Sequence, residues 1–244
     1  DRALATAREQ LAAYLGCGSL DIVWTSGATE SNNLVMHHYE QALEPSEEVW
    51  LSAIEHPCVI ESAQRYFGDR VRILPVTVRG ALDVDTLRVR LAEQRPGLIA
   101  VMAANNETGV LQPWAEVHDL CLTHKVPFFC DAAQWIGKLP AKGLGECDFV
   151  SGCAHKFGGP QGIGALVIRT QESVHCLMRG GGQERGLRGG TESVAHIIAL
   201  GRAAEIALER MDEYTDIADL RDQMEARLTE ATPGIKIFGV RARR

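Results

Sequence analysis

"LIAVMAANNETGVLQPWAEVHDLCLTHKVPFFCD", residues 98–131, decides the fold. It opens on a short apolar run, "LIAVMA", passes through the polar loop "NNETGVLQP", and turns helical from about Pro113 to His124. It ends on a second apolar run, "PFFCD", closed by an acid. Two buried strands joined through a helix make the crossover unit of a parallel sheet. The unit recurs on both sides. Upstream, "DIVWT" leads through "SGATES" into a helix near Thr29, "EVWLSA" leads through "IEHP" into a helix with Pro57 in its first turn, and "VRILPV" precedes a helix opened by Asp83. Downstream, "DFVSG" and "GALVIR" complete seven strand candidates. Apolar runs alternating with helices imply an α/β domain built on a mainly parallel, roughly seven-stranded sheet.

From Ser193 the pattern changes. Ile197, Leu200, Ala204, Ala207, Leu208 and Met211 keep a helical period, and Ile217, Leu220, Met224 and Leu228 continue it, so two long helices are predicted. The chain begins inside an amphipathic helix, "DRALATAREQLAAYLG", with no cap before it, and stops at "GVRARR". It therefore reads as a piece of a longer protein, with residues 1–211 as a large domain and residues 212–244 leading into a second one.

Composition narrows the function classes. A net charge of -7 gives no general attraction to nucleic acid or to an anionic membrane, so any anion site has to be local. Seven cysteines with no CxxC pair suit a reducing compartment, and a cytoplasmic location is expected. No apolar run reaches the roughly 20 residues of a membrane span. The adjacent His37 and His38 would point to different sides of a helix, which argues against a metal and for a solvated face.

In open α/β sheets ligands gather outside the carboxyl ends of the strands, so the residues ending each apolar run are read together. Asp131 ends a strand where an unpaired carboxylate is unfavourable; it either meets a cation or caps the following turn. Lys156 follows the apolar "DFV" within "SGCAHKFGGPQG". An amine held partly out of water there would have a lowered pKa and could form a Schiff base with a carbonyl; the alternative is a solvated loop lysine. "SGATES" offers free N–H groups at a helix start, fit for a phosphate or for an ordinary cap by Ser26 or Thr29. His56, before Pro57, is either a turn residue or a ring-stacking, proton-transferring imidazole. "RGGGQERGLRGGTE" holds six glycines with Arg179, Arg185 and Arg188, and reads as a flexible linker or as a loop that meets an anion or another subunit. The glycines of "GGPQGIG" are in the wrong order for a dinucleotide fingerprint.

Taken in order and spacing, "TSGATESNNL", "EHPCV", "ANNETGVLQP", "CDAAQWIGK", "SGCAHKFGGPQGIGAL" and "RGGGQERGLRGGTE" resemble the cysteine desulfurases of the NifS/IscS type, within the class V aminotransferase group of fold-type I enzymes. The resemblance implies a three-layer large domain that binds pyridoxal 5'-phosphate. It implies that Lys156 holds the cofactor covalently and later moves the substrate α-proton. Asp131 would pair with the ring nitrogen, Gln134 would bond the phenolic oxygen, and His56 would stack on the ring and serve in proton transfer. Ala28, Thr29 and His155 would hold the phosphate, with Cys153 as part of its wall rather than a nucleophile. Asn106 would sit beside the cofactor oxygen and the substrate carboxylate, and Thr191 would reach the phosphate of the other subunit's site.

The activity so implied converts L-cysteine to L-alanine in a homodimer. The sulfur passes to an enzyme persulfide and on to a scaffold for iron–sulfur clusters or a tRNA-thiolation relay. A selenocysteine lyase or another class V enzyme would share the same cofactor site. The family's persulfide-forming cysteine and its carboxylate-binding arginine are expected outside these residues, in a small C-terminal domain.

Overall fold

The computed structural model describes residues 2–170 and 173–244. Its strands are β1 (Ile22–Thr25), β2 (Val49–Ser52), β3 (Val71–Leu74), β4 (Leu98–Ala100), β5 (Phe128–Asp131), β6 (Phe149–Cys153) and β7 (Gly164–Ile168). They form one sheet in the order β1-β7-β6-β5-β4-β2-β3. The pairings among β2, β3, β4, β5 and β6 are parallel, whereas β7 runs antiparallel to both β1 and β6. The reversal follows from the short connection 154–163, which has no room for a crossover helix.

The helices are α1 (Arg2–Leu15), α2 (Ala28–Ala42), α3 (Pro57–Phe67), α4 (Val84–Glu93), α5 (Trp114–His124), α6 (Val194–Glu209) and α7 (Glu213–Ala231). Both faces of the sheet are covered, and successive strand residues go to opposite layers. Phe128 belongs to one buried cluster with Leu87 of α4, Val117 of α5 and Leu200 of α6, while Phe129 belongs to the other with Leu34 of α2 and Val59 of α3. Burial on both sides is why the strands read as unbroken apolar runs rather than as alternating ones. The three-layer α/β expectation holds.

Local chemistry sets the helix starts around the site. Asp83 caps α4 by accepting the Thr86 N–H at 3.0 Å. Pro57 occupies the first turn of α3, and the preceding His56 caps it through its ring. The two long helices expected from Ser193 onward are present as α6 and α7, and one sequence expectation changes. In α6, Ile197, Leu200, Ala204 and Ala207 are buried, but Leu208 is exposed, and the α7 stripe of Ile217, Leu220, Met224 and Leu228 is 42–63% exposed. The apolar period thus faces the core along α6 but not along α7. His38 is not on a solvated face: it is buried beside Phe149, with its ring 5.6 Å from that of His175.

Candidate functional site

A cleft of about 410 Å³ opens at the carboxyl ends of β1, β5 and β6. Asp131, the last residue of β5, forms its floor. Asp131 Oδ2 accepts the Asn32 amide at 2.8 Å, and Oδ1 accepts the Ala133 N–H at 3.0 Å. Burial pushes its pKa up, against the pull of those two donors and of the Lys156 charge. Among the described residues no cation pairs directly with it. A buried carboxylate held by two neutral donors at the bottom of a cleft can take a cationic donor such as a protonated ring nitrogen.

His56 and Cys58 form one wall where α3 begins. The Cys58 N–H donates to His56 Nδ1 at 3.2 Å, and Cys58 Sγ lies 2.9 Å from the same nitrogen. Beneath them is a second buried acid, Glu55, whose Oε1 accepts the Met102 N–H at 2.8 Å. Its other oxygen has no partner among the described residues, and burial pushes its pKa up to about 8. Glu55 thereby ties the turn that carries His56 to the end of β4.

Opposite, α2 presents its N-terminus. Gly27, its cap, carries no side chain, so apart from the Ala28 N–H, which meets the Cys153 thiol, the main-chain N–H groups of the first turn remain available to an anion. Gly27 is pressed against β7: a Cβ on Gly164 would fall 2.6 Å from the Gly27 Cα. Ala28 and Thr29 line the cleft here together with Cys153, whose thiol meets the Ala28 N–H and is pushed up in pKa by burial. Glu30, one turn in, accepts the Ser26 N–H at 2.8 Å and pairs with Arg188 at 2.8 Å. Burial alone would raise its pKa, but the Arg188 and Ser26 hydrogen bonds bring it below the usual carboxylate range.

His155 and Lys156 sit on the tight turn after β6, and both line the cleft. The sequence suggests an amine held partly out of water; here Lys156 is exposed, because its turn forms the rim rather than the wall. The turn is fixed from behind. Gly137, with φ of 81°, comes so close that a Cβ would meet the Phe157 Cβ at 2.0 Å. Gln134 faces the cleft but also receives Lys138, whose Nζ donates to its Oε1 at 3.1 Å. Burial, with the Lys156 charge, lowers the Lys138 pKa. Asn106 lines the far side, exposed, its amide donating to Glu107 at 3.1 Å.

Thr191 alone of the expected residues does not line this cleft. It is exposed in a neighbouring hollow, which shares Ser26 and Gly162 with the cleft. Its segment is not a slack linker. Glu184 and Arg185 adopt left-handed backbone with φ of 46° and 58°. Glu184 is buried, pairs with Arg8 and accepts the Trp24 N–H at 2.9 Å. Arg185 donates to the carbonyls of Leu20 and Ile22 at 2.9 and 3.0 Å.

The sequence reading missed Asn32, Lys138 and the side-chain role of Cys58, and it placed Glu55 at a strand end beside His56 without giving it a role. Asn32 was legible in part, since a polar residue on the sheet-facing side of α2 has to find a polar partner; which partner depends on tertiary contact.

The whole of residues 1–244 matches the aminotransferase class-V family. The chain is 38% identical over 250 residues to the mitochondrial cysteine desulfurase of Arabidopsis thaliana, covering 98% of this chain and 54% of that protein. A NifS-like protein from Rickettsia africae superposes with a TM-score of 0.90 at 30% identity, over 100% of this chain and 68% of that one. A solved structure of SspA in complex with cysteine matches with a TM-score of 0.78 at 36% identity, over 84% of this chain and 60% of that one. The chain thus spans a little over half the length of the Arabidopsis relative. Among the described residues no helix is long and apolar enough to cross a membrane.

Proposed function

The chain belongs to the aminotransferase class-V family, and from that membership we propose that it is the pyridoxal-phosphate-binding part of a cysteine desulfurase. The observation that carries this is the buried, cation-free Asp131 in the same cleft as Lys156 and the uncapped start of α2. One group with a basic ring nitrogen, an aldehyde and a phosphate satisfies all three. Bound there, the cofactor supplies an electron sink for the pair left on a substrate α-carbon when a bond to it breaks.

In this reading Asp131 keeps the ring nitrogen protonated, and the Asn32 amide and Ala133 N–H keep Asp131 aimed. The first-turn N–H groups at Ala28 and Thr29, with His155, seat the phosphate, and Cys153 closes that wall. Gln134 bonds the phenolic oxygen, and Asn106 serves that oxygen and the substrate carboxylate. Lys156 Nζ holds the cofactor and, once displaced, takes the substrate α-proton. His56 covers the ring and moves a second proton through its imidazole.

L-Cysteine and a thiol would give L-alanine and a persulfide, with the sulfur passed on to an iron–sulfur scaffold or a tRNA-thiolation relay. Residues 1–211 form the cofactor-binding unit, and residues 212–244 lead toward a smaller one. Thr191 acts in the partner's site of a cytoplasmic homodimer, which accounts for its place outside its own cleft. The test is titration with pyridoxal 5'-phosphate. A visible absorbance band should appear with saturable binding and be absent in Lys156→Ala; a chain that shows no such band overturns the assignment.

A further inference from the structure

The cleft contains a thiol that the reading above leaves without a task. Cys58 is half-buried, at the second position of α3. Its Sγ accepts the Asn32 amide at 3.0 Å and lies 2.9 Å from His56 Nδ1. The same Asn32 nitrogen donates to Asp131 Oδ2 at 2.8 Å. The Cys58 main-chain N–H also points at His56 Nδ1, at 3.2 Å.

These contacts fix proton positions. An N–H aimed at Nδ1 needs a lone pair there, so the ring proton is on Nε2. Asn32 and the Thr29 side chain both donate to the sulfur, so the thiol hydrogen points at His56 Nδ1, 2.9 Å away, and shares that lone pair with the Cys58 N–H. Burial first, and then the Asp131 charge, push the Cys58 pKa up, so the group stays S–H and remains a donor.

We propose that Cys58 is a positioning residue: the run Asp131–Asn32–Cys58–His56 locks the His56 ring plane and holds it as the Nε2–H tautomer. The tautomer stands without any cofactor; the consequence for the ring that His56 would cover rests on the function proposed above. A donor edge at Nε2 makes His56 a hydrogen-bond donor there in its resting state, with Nδ1 as its basic nitrogen. The run also ties the acid at the floor of the cleft to the imidazole on its wall, so neither can be reoriented alone.

The experiment uses the full chain labelled with 15N-histidine, first without cofactor. Long-range 1H–15N correlation should show a pyrrole-like Nε2 and a pyridine-like Nδ1 shifted by hydrogen bonding. In Cys58→Ala, Nδ1 should move toward the value of a less strongly bonded nitrogen, and in Cys58→Ser it should return. Cys58→Val, which fills the site without a donor, replaces the alanine variant if that one does not fold. A protonated Nδ1 in the unsubstituted chain overturns the proposal, and so does an Nδ1 resonance indifferent to all three substitutions. With pyridoxal 5'-phosphate added, the alanine or valine variant should bind about two- to fivefold more weakly, as suits one lost weak hydrogen bond, and serine should restore the affinity. Failure of every variant, and of the unsubstituted chain, to bind the cofactor would overturn the cofactor reading while the tautomer result stands.

Discussion

Asp131 is a carboxylate placed where the bare chain gains least from it. It is 5% exposed, and two neutral donors are all that the described residues offer it directly. Replacing it by asparagine removes a buried charge and keeps the size, so the cofactor-free Asp131→Asn chain should melt at or above the temperature of the parent. Affinity for pyridoxal 5'-phosphate should fall by about tenfold or more, since a single strong charge pair at the ring nitrogen is worth at least about 1.4 kcal/mol. Calorimetry and a binding titration read the two effects separately; a loss of stability without a loss of affinity would assign Asp131 to the fold alone. The residue was legible because an acid ending an apolar strand needs an explanation. The roles of Cys58 and Glu55 were not, because their partners come from α2 and from the end of β4, which no local pattern brings near.

At the scale of elements, the N-terminus of α2 has a charge problem. Glu30 lies in its first turn, where a carboxylate suits the helix dipole but opposes an incoming anion. Arg188, reaching over from the glycine-rich loop, pairs with it at 2.8 Å and cancels that opposition. Arg188→Gln should therefore weaken binding of pyridoxal 5'-phosphate several-fold, by roughly 0.5–1 kcal/mol, and leave binding of pyridoxal, which lacks the phosphate, unchanged. Equal losses for both ligands would place the effect in the fold. The turn bearing Lys156 has a similar dependence on Gly137, since any Cβ there meets Phe157 and the backbone is left-handed. Gly137→Ala should lower the melting temperature and slow or abolish the lysine-dependent absorbance, a result that a freely mobile turn would not give. Strands and helices were legible because their periods are local. The glycine-rich loop misleads because its order comes from Glu184 and Arg185 docking on α1 and β1, contacts more than 150 residues apart in sequence.

Over the whole molecule, two buried groups pull the stability in opposite directions with pH. Glu55 keeps its proton in the folded chain to about pH 8, while in the unfolded chain it ionises near its ordinary 4.5. The folded state then holds more protons than the unfolded one across that window, so stability falls as pH rises through it. His38 is the reverse: burial, with His175 and His37 nearby, lowers its pKa from 6.5 to about 4. Between those values the unfolded state binds the extra proton, so stability falls as pH drops. The two slopes overlap and oppose each other between about pH 4.5 and 6.5, giving a plateau; above it Glu55 acts alone. Urea unfolding of the cofactor-free chain should show stability nearly flat over the plateau and declining toward pH 8. In Glu55→Gln, which keeps the oxygen that accepts from Met102, the decline should vanish and a rise from about pH 4 to 6.5 should emerge, on the order of 1–3 kcal/mol. In His38→Gln the decline should instead begin near pH 4.5. The mainly parallel sheet and its two covered faces could be read from the sequence, but these pH arms could not, because each depends on what the folded neighbours exclude from water. A profile unchanged by either substitution would mean that neither group is held away from its ordinary protonation in the folded chain.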